Sequence, residues 1–220
     1  MLTYGVKKNM KHGKKREEGG ALYNFGLFLF SLFYLLIYRM KVTGRENVPW
    51  TGPLIVCSNH INWFDPTLVA RAIGKRRQVC FMAKAELFDI PYFGNLISKL
   101  GAFPVKREEA DRRALLTALS ILDQGKAVGL FPEGTRSRSG QLLKAFDGPA
   151  FIILKSGAPV LPVAIKGPYR LFRPIRINIG KPIFVDFEYE RESRKARREK
   201  IKEVSKLVME NIEGLLEDAV

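Results

Sequence analysis

From Pro49 onward, short apolar runs alternate with helical stretches, and this alternation constrains the fold more than any other feature of the chain. Runs of this kind read as strands buried on both faces, and strands that alternate with helices stack into an α/β sheet. The pattern predicts strands over 54–58, 78–82, 102–105, 127–131, 160–165, 176–179 and 183–187, and helices over 66–73, 92–100, 108–124 and 148–156. Gly74, Gly125 and Gly157 follow three of these helices, where a left-handed cap favours glycine. A charged helix from about 191 to 217 closes the chain, with Ile201, Val204, Leu207, Val208, Ile212, Leu215 and Leu216 spaced three and four apart to form a docking stripe. The expected fold is a single α/β domain over 40–220, with one mixed sheet flanked by helices and a C-terminal amphipathic helix.

Ahead of this domain, Gly19 to Tyr38 form twenty consecutive uncharged residues, including LFLFSLFYLLIY. That length is near the minimum for one helix across a bilayer. Lys7, Lys8, Lys11, Lys14, Lys15 and Arg16 precede it, and Arg39, Lys41 and Arg45 follow. Basic residues on both flanks place both on the same, cytoplasmic side, so a helix over 21–39 that embeds in one leaflet or re-enters is favoured over a spanning one. Tyr23, Tyr34 and Tyr38 would lie near the lipid interface, and 1–20 read as a mobile basic tail.

The net charge of +15 together with 46% apolar residues excludes a disordered basic tail and points to a folded domain that meets an anionic partner. Gly148 to Val185 hold six basic residues and no acidic one. The basic residues lack interleaved aromatic platforms, so nucleic acid is not the expected partner. Cys57 and Cys80 lie in apolar runs without metal or disulfide spacing, and neither a Walker A loop nor a GxGxxG fingerprint is present.

Four short segments could carry chemistry. His60 follows the run LIVCS, at the strand-to-loop junction where open α/β sheets place functional groups. Asp65-Pro66 then reads as a helix N-cap followed by the first helical position, so one turn returns a carboxylate toward the imidazole. The pair suits a general base; equally, Asp65 could be a plain cap and His60 a satisfied core histidine. Cys57 alternates to the far face and Ser58 is about 7 Å along the strand, so no covalent nucleophile accompanies His60. The second segment is Phe131-Pro132-Glu133-Gly134-Thr135-Arg136, which should open on the same sheet edge. Its turn can aim backbone N–H groups outward, Arg136 offers a planar fork for phosphate, and Glu133 would fix Arg136 or a substrate hydroxyl. Gly101 to Arg107 ends another strand in two basic side chains, and Ala158 to Val163 supplies a pocket wall with two prolines.

In this order and spacing, the four segments resemble the glycerolipid acyltransferase family, specifically the bacterial 1-acylglycerol-3-phosphate acyltransferases, over about residues 40 to 185. Asn59-His60-x4-Asp65 resembles the catalytic motif, and Phe131 to Arg136 resembles the FPEGT-R block. The resemblance implies that His60 takes a proton from the sn-2 hydroxyl of lysophosphatidate, oriented by Asp65, and that the product is phosphatidic acid. Acyl-CoA or acyl-carrier protein would be the co-substrate, with no metal or other cofactor. Arg107, Glu133, Gly134, Thr135 and Arg136 would hold the glycerophosphate, and Lys144 is the candidate for a charge that the family places at the next helix, where this chain has Asp147-Gly148. The resemblance also implies work at the cytoplasmic face of the cell membrane. Glycerol-3-phosphate or another lysophospholipid is an alternative acceptor, and a non-catalytic basic protein that binds membranes or nucleic acid is the reading from a different class.

Overall fold

A computed structural model of the chain describes residues 20–21, 23–26, 28, 39–74, 77–106, 111–170, 172–187, 189 and 192–218. Seven strands form one mixed sheet: β1 (Arg39–Thr43), β2 (Leu54–Ser58), β3 (Val79–Lys84), β4 (Phe103–Val105), β5 (Ala127–Leu130), β6 (Val160–Lys166) and β7 (Pro174–Ile179). Their order is β1-β7-β6-β2-β5-β3-β4, and every neighbouring pair is parallel except β6 and β7. The helices are α1 (Asp65–Ile73), α2 (Phe93–Lys99), α3 (Arg112–Asp123), α4 (Asp147–Ser156) and α5 (Arg194–Glu217).

The sheet separates two apolar layers, as the double-sided burial of its strands requires. Leu54 and Val56 of β2 pack with Leu68, Val69 and Ile73 of α1, whereas Ile55 and Cys57 face Leu122 of α3, Ile153 of α4 and Val208 of α5. Val204, Val208 and Ile212 are the buried positions of α5, so its apolar stripe docks on the sheet as the spacing predicts. Gly157 caps α4 in the left-handed region. Gly74 has positive φ but an extended ψ, which closes α1 differently.

Two expectations about strands change. β1 is a strand that the pattern did not indicate: Met40 and Val42 turn inward while Arg39, Lys41 and Thr43 stay exposed, and charge on an edge strand deters further pairing. The predicted strand over 183–187 reduces to one bridge, in which Val160 and Ile183 exchange backbone hydrogen bonds of 2.8 and 2.7 Å. Register explains this, since β7 pairs β6 only from Val163 onward and leaves the Val160 end open. Ile183, Val185 and Phe187 still pack on the core.

Most of the apolar segment over 21–39, including Tyr34 and Tyr38, and the tail over 1–19 lie outside the described residues; Arg39 belongs to β1. Tyr23 departs from its expected place at a lipid interface. It is buried in the α1-side core, its hydroxyl meets the Arg77 carbonyl and the Val79 N–H at 3.5 and 3.4 Å, and burial pushes its pKa up to about 12. Among the described residues, no helix is long and apolar enough to cross a membrane.

Arg77, which the sequence did not single out, is fully buried at the edge where β2, β3 and β5 begin. Its guanidinium donates to the carbonyls of Gly52 at 2.6 Å, Gly125 at 2.8 Å and Pro49 at 3.4 Å. One side chain thereby ties the segment before β2 to the turn before β5, and Arg77→Ala strands their three carbonyls in a dry environment. The expected cost is about 3 kcal/mol or more, read as a lower denaturant midpoint with an unchanged m-value.

Candidate active site

The parallel register of β2 with β5 and β6 brings three strand ends to one edge, and the loops that leave them build the site. Asn59, the first residue past β2, holds this edge together: its side chain donates to the Ile165 carbonyl at 2.9 Å and accepts the Ile165 N–H at 2.7 Å. The next residue is His60, whose backbone is fixed on both sides by the loop after β5. Glu133 Oε1 accepts the His60 N–H at 2.8 Å, and the His60 carbonyl accepts the Ser137 N–H at 2.7 Å. The ring of Phe131 stacks on the imidazole with centroids 4.1 Å apart.

Asp65 is fully buried and gathers four donors. Oδ2 accepts from His60 Nδ1 at 2.8 Å, from the Ile61 N–H at 2.6 Å and from the Asn62 N–H at 2.7 Å; Oδ1 accepts from the Tyr169 hydroxyl. The carboxylate thus closes the 60–65 loop on itself. This corrects the expectation of an N-cap: Phe64 occupies the cap position, Asp65 is the first residue of α1, and its side chain reaches back to the loop. With Nδ1–H engaged by Asp65, Nε2 carries the free lone pair of the imidazole, which is the arrangement of a general base.

Glu133 lies elsewhere than expected. It is 1% exposed, and its two oxygens accept the N–H groups of His60 and, at 2.9 Å, Leu143, so it braces the site and has no bond to Arg136 among those described. Burial raises its pKa, an effect opposed by those two N–H donors. Gly134 also differs: its N–H closes a turn onto the Phe131 carbonyl at 2.9 Å and does not point outward. Its φ is +64° and a Cβ there would sit 2.7 Å from the Phe146 ring, so only glycine fits.

Arg136 lies over Trp63, with Cζ 3.9 Å from the ring centroid, so the guanidinium is held beside the 60–65 loop by a cation–π contact. Thr135 and Lys144 are exposed in the same β5 loop, and Arg107 lies outside the described residues. Cys57 faces the opposite layer, where burial pushes its thiol up to about 12, and Ser58 is buried with its hydroxyl on the Asn59 carbonyl. Tyr169 is the site residue that the sequence reading missed. It follows β6 and the proline-bearing segment assigned only to a pocket wall, and no local spacing links it to a residue 104 positions earlier.

An imidazole held by a buried carboxylate at the carboxyl edge of a mixed α/β sheet is an arrangement suited to proton transfer. A family model described as acyltransferase matches residues 39–166, more than half of the chain, and the protein belongs to the acyltransferase family. It is 31% identical over 167 residues to the 1-acyl-sn-glycerol-3-phosphate acyltransferase of Bacillus subtilis (strain 168), an alignment that covers 74% of this chain and 82% of that one. It is 33% identical over 140 residues to the lyso-ornithine lipid O-acyltransferase of Pseudomonas aeruginosa, over 63% of this chain and 51% of that one. The crystal structure of the 1-acyl-sn-glycerophosphate (LPA) acyltransferase PlsC from Thermotoga maritima superposes with a TM-score of 0.61 and 28% identity, over 88% of this chain and 78% of that one.

Two outcomes follow from the geometry. Tyr169→Phe removes one donor from Asp65 and leaves the ring packing in place; kcat should fall roughly three- to tenfold with little change in KM, measured by steady-state kinetics. Glu133→Gln tests the brace. A carboxylate whose folded pKa is raised favours folding most below its ordinary value of 4.5, and that contribution is lost as pH rises through the raised value. The wild-type melting temperature should therefore carry a downward component over that window that Glu133→Gln lacks, measured by calorimetry across the acid range.

Proposed function

We propose that this protein transfers a fatty acyl group from acyl-CoA or acyl-carrier protein to the sn-2 hydroxyl of 1-acylglycerol-3-phosphate, giving phosphatidic acid. The observation that carries the reading is the His60–Asp65 pair, held by Tyr169 and by the backbone of its own loop. Nε2 of His60 takes the hydroxyl proton as the oxygen attacks the thioester carbonyl. Asp65 stabilises the imidazolium that forms, the tetrahedral intermediate expels the thiolate, and the imidazolium returns its proton to the leaving sulfur. Protons balance over the cycle, and His60 ends neutral.

Arg136 supports a phosphate-bearing acceptor because the cation–π contact with Trp63 holds its guanidinium at the loop that carries His60. Lys144, in the loop after β5, and Arg107, which follows β4 in sequence, would add charge toward the same group. Thr135 offers a hydroxyl, and Gly134 keeps the turn tight enough to seat Phe146. Glu133 serves the acceptor indirectly by fixing His60. The basic residues and the apolar run before β1 support association with an anionic membrane at its cytoplasmic face.

His60→Ala should lower acyl transfer to lysophosphatidate by about a thousandfold or more while the protein stays folded, measured with acyl-CoA and acyl-carrier protein supplied separately. The Pseudomonas relative is named for an acceptor that is not lysophosphatidate, so an acceptor panel decides the finer point. Turnover of lyso-ornithine lipid or lysophosphatidylcholine without turnover of lysophosphatidate would refute the proposed acceptor. Arg136→Ala should raise KM for lysophosphatidate roughly tenfold or more and leave KM for a phosphate-free acceptor nearly unchanged.

A further inference from the structure

The exposed aromatic side chains are unevenly placed. Of the ten exposed aromatics among the described residues, six lie past the strand ends at the carboxyl edge around His60: Trp63 and Phe64 after β2, Tyr92 and Phe93 after β3, Phe146 after β5 and Phe172 after β6; Phe25, Phe28, Trp50 and Phe184 lie elsewhere. Their exposure is high: 66% for Trp63, 94% for Tyr92, 63% for Phe146 and 66% for Phe172. A soluble fold seldom leaves so many aromatics of one edge in water.

Backbone conformation marks the same two loops. Tyr92 and Phe172 are the non-glycine residues with positive φ among those described, at 63° and 59°. A left-handed backbone is unfavourable for a side chain that bears a Cβ and persists where the chain must present that side chain in one direction. Here the two strained positions carry the most exposed tyrosine and an exposed phenylalanine, and both project from the site edge.

Charge and chain path identify what covers the rim. Arg136, Arg138, Lys144, Arg170 and Arg173 lie in the loops after β5 and β6, where the one acid, Glu133, is buried; after β3, Glu86 is paired with Lys84 and Asp89 is exposed. β1 runs opposite to β2 and pairs Arg39 with Pro174, so β1 begins at this edge, directly after the apolar run in sequence. Exposed aromatic rings and cations on one edge suit the interface of an anionic bilayer, where rings sit at headgroup depth and guanidinium groups meet phosphate.

We infer that the catalytic edge is itself a bilayer-docking surface, in which Trp63, Tyr92, Phe93, Phe146 and Phe172 enter the interface of an anionic membrane and set His60 at the depth of a lipid headgroup. The inference extends the proposed function and rests on its reading that the acceptor is a membrane lipid. It assigns the orientation to the rim, separately from any anchoring by the apolar run. The amino edge, which carries Arg77 and Trp50, faces away from the lipid.

The two tryptophans of the chain stand on opposite edges and report directly on this orientation. Full-length Trp50→Phe and Trp63→Phe proteins each retain one of them, and both are mixed with phosphatidylglycerol-containing vesicles whose chains carry bromine near the glycerol. Trp63 emission should fall by roughly half, whereas Trp50 emission should stay nearly constant. Equal quenching of both, no quenching of Trp63 in vesicle-bound protein, or failure of the full chain to bind the vesicles overturns the inference. So does concentration-dependent burial of Trp63 without lipid, which would make the rim an interface between two copies.

A double variant, Tyr92→Ser with Phe172→Ser, should lose roughly tenfold activity on vesicle-borne lysophosphatidate and keep its rate on a short-chain acceptor dissolved as monomers. Equal loss on both acceptors means damage to the site and counts against the rim. Because quenching is read without catalysis, inactivity of the wild-type protein would refute the proposed function while the orientation is still decided by Trp63 and Trp50.

Discussion

The carboxylate of Asp65 is the interaction on which the site depends. Burying an ionisable group is costly unless its hydrogen-bonding capacity is filled, and here three donors come from residues 60 to 62 and the fourth from Tyr169. The same four bonds fold the loop after β2, start α1 and bring the loop after β6 against the imidazole. Loss of any one donor alters both local stability and the orientation of His60, so folding and proton transfer share one set of contacts. The strand order makes this possible, because β6 and β5 are the two neighbours of β2 and deliver Tyr169 and Glu133 from either side.

Glu133 braces the loop that carries the histidine through backbone hydrogen bonds. Its two oxygens join the His60 N–H to the Leu143 N–H, which holds the 137–143 segment over the β2 loop. Phe131, two residues earlier, stacks on the imidazole and on the Phe81 ring of β3, whose centroid is 5.8 Å away. The histidine is thus fixed at its backbone, its ring face and its Nδ1, with Nε2 left for chemistry. Such rigidity lowers the reorganisation needed when the imidazole becomes charged.

Much of this was legible in the sequence, for reasons that separate what was found from what was missed. Strands buried on both faces leave apolar runs, so β2, β5 and β6 were read close to their observed bounds; α5 announced itself by its three-and-four spacing. His60 and Asp65 stood close together in sequence, so their pairing was accessible to local reasoning. β1 was hidden because an edge strand is only half apolar and follows directly on a long apolar run. Tyr169 and Arg77 were hidden because each is defined by partners distant in sequence, Asp65 in one instance and the carbonyls of Gly52 and Gly125 in the other. Glu133 reads in sequence as a partner of Arg136 or of a substrate hydroxyl, whereas in the fold its oxygens accept the backbone N–H groups of His60 and Leu143, which no local pattern announces.

The two ends of the sheet divide the physical tasks. At the amino edge, Arg77 and Tyr23 fill a dry environment in which a cation meets carbonyls and a phenol is kept un-ionised. At the carboxyl edge, cations stay exposed, aromatics remain in water and two residues hold unfavourable backbone angles. A protein selected only for stability would bury those rings or replace them; their retention around His60 fits a surface whose stable partner lies outside the chain. The positive charge therefore has three separate settings: fully buried in Arg77 as a structural tie, stacked in Arg136 beside the catalytic loop, and free in Arg170 and Arg173 at the rim. Only the last two settings are available to an anionic lipid, which is why net charge alone says little about affinity until each cation is placed on the fold.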